Sequence, residues 1–127
     1  MTEPIRTYRD LIAWRLAMDA AKSVYRLTSD FPADERFGLV TQLRRAVVSI
    51  PSNIAEGFGR GRSDDYRRFL RVARGSLYEV ETQITLAEEL GFAAPDVFSQ
   101  TKAVVDECGR VLAGLIRKLE ELGTPGS

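Results

Sequence analysis

Apolar side chains recur at alternating steps of three and four residues along four long segments of this 127-residue chain. That spacing places them along one stripe of an α-helix, whereas a half-buried strand needs an apolar residue at every second position. No segment alternates in the second way for more than a few residues, so strands are not expected. The spacing therefore predicts an all-α fold.

The pattern predicts four helices, over residues 10–28, 35–58, 63–91 and 95–122. Asp10 and Ser63 are the expected N-cap residues of the first and third helices, because their side chains can accept a hydrogen bond from a first-turn amide. Residues 57–62, Gly-Phe-Gly-Arg-Gly-Arg, are expected to form a turn. Since the connections are short, neighbouring helices must run antiparallel, which predicts an antiparallel up-down-up-down four-helix bundle.

A chain of this length corresponds to one domain. The expected division is an N-terminal arm at residues 1–9, the four-helix bundle at residues 10–122, and a flexible C-terminal tail at residues 123–127. The tail, Gly-Thr-Pro-Gly-Ser, has the composition of a frayed terminus.

The same spacing predicts which side chains face the core. In the first and second helices they are Leu11, Trp14, Met18, Ala21, Tyr25, and Val40, Leu43, Val47, Ile50, Ile54. In the third and fourth they are Tyr66, Leu70, Ala73, Leu77, Val80, Ile84, Ala87, and Val97, Thr101, Val104, Cys108, Val111, Leu115, Leu122. The first helix also carries Leu16, Ala17 and Ala20, which indicates either a wide core face or a contact with a partner.

Pro51 lies inside the second predicted helix. A proline there lacks an amide hydrogen and clashes with the carbonyl of Val47, so a kink is expected. The alternative is two helices separated after Ile50, because a residue before proline disfavours the α conformation. The apolar spacing continues in phase from Ile50 to Ile54, which favours one kinked helix.

Charge is balanced in total, with 18 basic and 18 acidic residues, but not along the chain. Residues 36–74 contain nine arginines against three acidic residues, and residues 75–127 contain nine acidic against four basic residues. Clustered arginines are typical of a surface that binds phosphate. The alternative is an ordinary surface stripe that the acidic fourth helix neutralises. The candidate nucleic-acid-binding residues are Arg45, Arg60, Arg62, Arg67, Arg68, Arg71 and Arg74.

A polar stripe follows the second helix, on the side away from Val47. Its members are Gln42, Arg45, Ser49, Ser52, Asn53 and Glu56. An antiparallel third helix places Arg45 level with Glu79, Ser49 level with Arg74, and Glu56 level with Arg67. Charge-paired contacts are therefore predicted, within a subunit or between subunits, with a role in register more than in stability.

Several kinds of chemistry are not expected. The chain has no histidine, whereas di-metal carboxylate bundles need inward-pointing Glu-x-x-His pairs. The carboxylates that could hold a metal, Glu79, Glu81, Glu88, Glu89, Asp106 and Glu107, lie off the apolar stripes. The glycines at 57, 59 and 61 follow a helix and lack the lysine of a phosphate-binding loop.

Catalysis and a cofactor are not expected either. The one cysteine, Cys108, cannot form an internal disulfide and is expected to be buried. No nucleophile with an accompanying base is recognisable, so the chain is predicted not to be an enzyme. It shows neither an apolar run of roughly 20 residues nor the apolar stretch of a signal peptide, so a cytoplasmic location without membrane contact is expected.

Five short motifs together resemble one protein family. They are Asp10-Leu-Ile-Ala-Trp14, Phe31-Pro-Ala-Asp-Glu35-Arg-Phe-Gly38-Leu, Gln42-Leu-Arg-Arg45, Ser49-Ile-Pro51-Ser-Asn53-Ile-Ala-Glu56-Gly57 and Ala73-Arg-Gly75-Ser76-Leu-Tyr-Glu79. They are similar to the small four-helix-bundle proteins encoded in intervening sequences of bacterial large-subunit ribosomal RNA genes. The accessory variability protein of diversity-generating retroelements belongs to the same group. The structural motif of the family maps onto Gln42, Ser49, Pro51, Asn53, Glu56, Gly57 and Glu79.

This resemblance extends from about residue 8 to residue 122. It implies an up-down bundle, a ring-like homopentamer and, for the retroelement member, binding of nucleic acid and of a reverse transcriptase. The retroelement protein is strongly basic, whereas this chain has a formal net charge of +0. Two functions follow as hypotheses. The first is a non-enzymatic homo-oligomer that binds structured RNA or DNA through its arginines, and the second is a protein-interaction scaffold without nucleic-acid binding.

Overall fold

The computed structural model describes residues 4–122 and is built almost entirely of four long α-helices. They are α1 (Ile12–Thr28), α2 (Leu39–Gly59), α3 (Ser63–Glu89) and α4 (Pro95–Leu122), with short 3₁₀ helices at Tyr8–Asp10 and Ala33–Glu35. Residues 4–122 contain no strand, and the all-α prediction is confirmed. The tail predicted at residues 123–127 lies outside the described residues.

The helices form a four-sided bundle in which each packs against two others. The neighbours are α1 with α2, α2 with α3, α3 with α4, and α4 with α1. Ser49 lies opposite Ser76, with 2.8 Å between their hydroxyl oxygens, and Gln42 lies opposite Gln83. Residue numbers rise along α2 as they fall along α3, so these two helices are antiparallel.

The pairing of α3 with α4 shows the same direction. Arg71 donates to Glu120 at 3.0 Å, and Lys102 donates to Glu88 at 2.9 Å. The low numbers of α3 therefore meet the high numbers of α4. The predicted antiparallel bundle is confirmed by these contacts. It also follows that the α2–α3 side and the α1–α4 side are opposite sides of the molecule.

The prediction that Asp10 caps the first helix is wrong. Asp10 ends the 3₁₀ helix, and its carboxylate accepts from the backbone amides of Arg6 at 2.8 Å and Thr7 at 3.0 Å. The Thr7 hydroxyl accepts in turn from Arg9. The Asp10 carboxylate is thus used on the residues that precede it and not on the first turn of α1, which begins at Ile12. The hydrogen bonds that the carboxylate accepts lower the pKa of Asp10.

The predicted boundaries of α2 and α3 also need correction. α2 begins at Leu39 and not at residue 35, because the 3₁₀ helix intervenes. It continues to Gly59, so only the last part of the predicted turn is a turn, with Gly61 at φ +73°. Ser63 is the first residue of α3 and not its cap, because Arg62 holds the N-cap position without a side-chain hydrogen bond.

Pro51 is buried inside a continuous α2, so the alternative of two separate helices is wrong. The residues that follow it add hydrogen bonds to the preceding turn. Ser52 donates from its hydroxyl to the Val48 carbonyl at 2.8 Å, and Asn53 donates from Nδ2 to the Ser49 carbonyl at 2.7 Å. These contacts strengthen the turn from which proline removes an amide. The kink itself stays a prediction.

The residues predicted to face the core are largely correct for α2 and α3. Leu43, Val47, Ile50 and Ile54 of α2 are fully buried, and the α3 residues from Leu70 to Ala87 are buried at the expected spacing. Tyr66 and Val40, at the ends of these stripes, are only half-buried.

The stripes of α1 and α4 are displaced by about one position from the prediction. Leu11, Ala21, Thr101 and Cys108 are buried as predicted, but the other predicted members are not: Trp14, Met18, Val97, Val104, Val111 and Leu115 are half-buried, and Tyr25 and Leu122 are exposed. The buried residues of the two helices include Ala13, Ala17, Ala20, Ala21, Val24, Leu27 in α1 and Phe98, Thr101, Val105, Cys108, Leu112, Ile116 in α4. Ala17 and Ala20, which the prediction left outside the main stripe, are fully buried.

Candidate nucleic-acid interface

The family motif lies along the seam where α2 meets α3, and its polar members hold the two helices together. The Ser49 hydroxyl bonds to the Ser76 hydroxyl at 2.8 Å and accepts from Asn53 Nδ2 at 2.9 Å. Two turns before Ser49 on the same side, Gln42 accepts from Gln83, which also donates to Glu79. The motif therefore forms a polar seam beside the apolar core.

The predicted partners in this seam do not meet. Ser49 bonds to Ser76 and not to Arg74, so the helices pair two residues out of the expected register. No ion pair joins Arg45 to Glu79, both of which belong to the described residues and are exposed. The charge-paired contact of Arg45 with Glu79 is therefore wrong within a subunit, and between subunits it stays a prediction.

The predicted pairing of Glu56 with Arg67 is also wrong. Glu56 pairs with Arg60 at 3.4 Å, one turn along the chain, and Arg67 pairs with Asp64. Residues three or four positions apart on a helix lie on the same face, so their side chains can pair within that helix. Such pairs form whatever the register between α2 and α3.

Gly57, which was predicted to belong to the turn after the second helix, lies inside α2 and has a packing role. It is buried in the last turn but one of α2, and a Cβ built on it would lie 2.6 Å from Cβ of Phe69 and 3.3 Å from Tyr66. No side chain fits in that space, so glycine lets the end of α2 contact the beginning of α3 directly. This contact presents the Phe69 ring at the surface.

Three of the candidate arginines gather around Phe69. The guanidinium carbons of Arg60 and Arg68 lie 5.1 Å and 4.8 Å from the centre of its ring, and Arg62 is exposed in the connection between α2 and α3. Arg60 and Arg68 also pair with Glu56 and Asp65. Ion pairs between such exposed groups are weak and leave the cations open to exchange for a phosphate.

The other predicted stripe turns toward α4. Arg71 pairs with Glu120, and Arg74 lines a groove with Glu81 and Asp106. Arg67 keeps only 14% of its side chain exposed. Arg71 and Arg74 therefore lie beside acidic side chains of α4, as the alternative of neutralisation by the fourth helix predicts, whereas Arg67 pairs with Asp64 of its own helix. Arg45 stands apart from both groups, at the middle of α2.

The sequence analysis missed the N-terminal arm as part of this surface. Tyr8 and Phe69 line the same surface pocket beside α2, and the guanidinium carbon of Arg9 lies 5.3 Å from the centre of the Tyr8 ring. The arm thereby adds basic side chains to the same end of the bundle. We call that end the basic end and define it by Arg6, Arg9, Arg60, Arg62 and Arg68. The sequence feature that could have indicated this role of the arm is the neighbouring pair of Tyr8 and Arg9. The periodicity of apolar residues does not detect such a pair.

Burial shifts two pKa values in the interior. It raises the pKa of the Tyr66 hydroxyl to about 12, and that oxygen has no hydrogen-bond partner among the described residues. It also raises the pKa of Cys108 to about 12, which confirms the predicted burial of this thiol. A thiol that is buried and protonated is unreactive at neutral pH.

Partial burial, together with the charge of Asp106, raises the pKa of Glu81. Within residues 4–122 no three His, Cys, Asp or Glu side chains come close enough to hold a metal ion. The two carboxylates face a groove between α3 and α4 that also contains Arg74 and Arg110. The groove therefore combines charges of both signs.

Two apolar surfaces remain exposed, on opposite sides of the bundle. On the α2–α3 side, Phe37 is 87% exposed and lies at the same end of the bundle as Leu86 and Leu90, which are about half exposed. We call these three residues the α2–α3 patch. On the other side, Ile12 is 63% exposed beside a groove of about 640 Å³.

That groove continues along the seam between α1 and α4. Its first part is lined by apolar residues that include Val111 and Leu115, and a second part of about 520 Å³ contains Leu16 and Val104. We call this surface the α1–α4 groove. Its lining includes Val104, Val111 and Leu115, which the prediction placed in the core, and its second part also contains the charged side chains of Asp19, Lys22, Arg26 and Glu107.

In the described residues, no helix has the length and apolar character needed to cross a membrane.

The comparisons with known proteins agree with this fold. The model of the 23S rRNA-intervening sequence protein family matches residues 9–114. The chain belongs to this family. The match includes the whole polar seam and most of the basic end.

Among solved structures that share the fold is the crystal structure of a protein of unknown function from the S23 ribosomal protein family of Bacteroides thetaiotaomicron, with a TM-score of 0.74 and 17% sequence identity. The match covers 84% of this chain and 96% of that one. No curated protein matches the sequence.

Proposed function

We propose that this chain is a non-enzymatic subunit that assembles with copies of itself into a closed ring and binds RNA or DNA through its basic end. The family resemblance implies five subunits. The observation that carries the assembly is the pair of exposed apolar surfaces on opposite sides of one bundle. Exposed apolar surface of this kind is typical of contact sites.

The position of the two surfaces favours a ring over a dimer. A twofold dimer buries the same surface of both subunits, whereas a contact between two different surfaces continues from subunit to subunit and closes into a ring. The α2–α3 patch projects Phe37, and the α1–α4 groove is concave. A protruding patch and a groove suit a contact of the second kind.

The nucleic-acid part of the proposal is supported by the basic end. Arg9, Arg62 and Arg68 are exposed there, and the half-buried rings of Tyr8 and Phe69 line a surface pocket. Arginines beside accessible aromatic rings are a common arrangement in proteins that bind nucleic acid. A ring of subunits would repeat this surface, so that several weak contacts act on one strand or helix.

The alternative, a protein-interaction scaffold without nucleic-acid binding, has one observation in its favour. Four of the seven candidate arginines, Arg60, Arg67, Arg68 and Arg71, form ion pairs within the chain. If those pairs persist in solution, little positive charge remains for phosphate.

Salt dependence separates the two functions. Binding to a structured RNA should weaken steeply as salt rises, because each phosphate contact releases counterions. The substitutions Arg9→Gln, Arg62→Gln and Arg68→Gln, each made alone, should each reduce the slope of log affinity against log salt by about one. Lys102→Gln and Arg110→Gln, which remove exposed basic side chains away from the basic end and outside the α1–α4 groove, are the matched controls.

The outcomes are distinct. Absence of binding at low salt would assign the chain to the scaffold function. Binding with equal slopes in all five variants would show that the basic end is not the contact surface.

A further inference from the structure

A surface pocket of about 500 Å³ lies at the basic end, between the N-terminal arm and the seam of α2 with α3. Its lining includes the rings of Tyr8 and Phe69 and the polar side chains of Ser52, Asn53 and Glu56. The volume is within the range of about 300–1,000 Å³ that small-ligand sites occupy. Neither the core packing nor the polar seam accounts for this combination of aromatic and polar groups.

Cations surround the pocket on the side of its rings. Arg60 and Arg68 lie over Phe69, and Arg9 lies over Tyr8 at 5.3 Å. Each guanidinium therefore lies over an aromatic ring that lines the pocket. A ligand with a flat ring and an attached anion would meet an aromatic surface and a cation at once.

The polar groups of the pocket are mainly acceptors. Asn53 uses its Nδ2 to donate to the carbonyl and hydroxyl of Ser49, so its side-chain oxygen is the atom left to face a ligand. Ser52 uses its hydroxyl hydrogen on the Val48 carbonyl, which leaves an oxygen lone pair. Glu56 is exposed and contributes a carboxylate. A ligand that donates hydrogen bonds fits these groups.

We propose that this pocket receives an unpaired nucleobase of single-stranded RNA or DNA, with the neighbouring phosphates held by Arg9, Arg60 and Arg68. The proposal rests on the proposed function, because it assumes that nucleic acid binds at the basic end. A base in a duplex is stacked and paired, so only an unpaired base can enter. Because the pocket offers acceptors, bases with an exocyclic amino group bind better than uracil or thymine.

The chain contains its own reporter for this test. Trp14 is the only tryptophan, and its ring centre lies 5.2 Å from that of Tyr8. A base that enters the pocket against Tyr8 should therefore change the tryptophan fluorescence. Titration of the full chain with short oligodeoxycytidine, oligodeoxythymidine and a mixed-sequence DNA duplex of equal length measures the preference directly.

The expected order is cytidine over thymidine, with the duplex weaker than both single strands. Phe69→Leu keeps the Cβ that packs on Gly57 and removes the ring, and it should weaken single-strand binding roughly tenfold. Tyr78→Leu is the matched control, since Tyr78 is an exposed aromatic residue of the same helix outside the pocket. Glu56→Gln should reduce the preference for cytidine over thymidine, and it serves as the test if Phe69→Leu does not fold.

Two results would overturn the proposal in different ways. If the duplex binds as well as the single strands and neither Phe69→Leu nor Glu56→Gln has an effect, while Arg62→Gln still weakens binding, the pocket proposal fails and the proposed function stands. If no oligonucleotide binds at low salt, nucleic-acid binding fails together with the pocket.

Discussion

At the scale of single residues, glycine and tyrosine positions at the junction of α2 and α3 are the most constrained. Gly57 packs directly on Phe69, and Tyr66 lies beside both with a buried hydroxyl that has no partner in the described part of the chain. The ring of Tyr66 also contacts Phe58 edge-on at 5.8 Å. This junction aligns the polar seam and the rings of the basic end.

Gly57→Ala should destabilise the bundle by about 1–3 kcal/mol, because the added methyl group overlaps backbone-fixed atoms of α3. Gly59→Ala is the matched control, since a Cβ there meets nothing within 4 Å. It should be neutral or slightly stabilising, because alanine has the better helix propensity. Urea denaturation of the two variants measures the difference, and equal midpoints would contradict the close contact.

Tyr66→Phe should be neutral or stabilise the bundle by about 1 kcal/mol at pH 7, because it removes a buried hydroxyl that lacks a partner. The same residue makes stability depend on alkaline pH. Its pKa is raised from 10.0 to about 12 in the folded protein, so between these values the unfolded chain has lost the proton and the folded protein has kept it. Stability therefore falls as pH rises through this window.

In Tyr66→Phe that alkaline loss should be smaller than in the parent chain. Part of this loss of stability should remain in the variant, because burial also raises the pKa of Cys108 from 9.0 to about 12. Above pH 9 the unfolded chain loses the thiol proton while the folded protein keeps it, so Cys108 also lowers the stability as pH rises. Thermal unfolding at several pH values between 7 and 11 provides the measurement. A variant less stable than the parent at pH 7 would show that the hydroxyl has a stabilising partner.

At the scale of helices, the polar seam between α2 and α3 sets their register. The predicted contacts across it were two residues out of register, because the turn between the helices is centred about one residue later in the sequence than expected, as the pairs Ser49–Ser76 and Gln42–Gln83 show. Hydroxyl and amide pairs replaced the predicted ion pairs. The motif Ser49-Ile-Pro51-Ser-Asn53 thus holds one helix against the next.

Ser49→Ala and Ser76→Ala should each destabilise the bundle, and their effects should not add. The hydroxyl-hydroxyl bond at 2.8 Å is shared, so a double-mutant cycle should give a coupling of about 0.5–1.5 kcal/mol. Chemical denaturation of the two single variants and the double variant yields this value. Additive effects would mean that the two hydroxyl groups do not interact in solution.

Sequence periodicity identified the core of α2 and α3 but not that of α1 and α4. In α2 and α3, charged residues on both sides limit the apolar stripe, so only one orientation buries it. α1 contains six apolar positions beyond any single stripe, many of them alanine, and small residues are compatible with several orientations. Packing against the neighbouring helices selects among these orientations, and that information is not local.

At the scale of the whole molecule, the fold converts an uneven charge distribution along the chain into separate surfaces. Part of the arginine-rich middle meets the acidic α4, as the pair Arg71–Glu120 shows, and Arg60 and Arg68 lie with the N-terminal arm at the basic end. The sequence predicted the two charged segments correctly. It did not predict their division, because that depends on which face of α3 contacts α4.

The apolar surfaces, like the charged ones, could be predicted only in part from the sequence. The wide apolar arc of the first helix was recognised, with a wide core and a partner contact left open as explanations. The burial of the alanines confirms a wide core face, whereas the partner contact, for which Ile12 and Leu16 of the α1–α4 groove are the candidates, stays a proposal. The α2–α3 patch had no signal in the periodicity, because Phe37 precedes α2 and Leu90 follows α3.

Native mass spectrometry of the full chain tests the central claim, self-assembly through two different apolar surfaces, most directly. The account predicts one closed species of five subunits, which Leu90→Glu on the patch and Leu16→Glu in the groove each convert to smaller species, whereas Tyr78→Glu outside both surfaces leaves it intact. A single subunit at high protein concentration, with all three variants unchanged, would contradict the account.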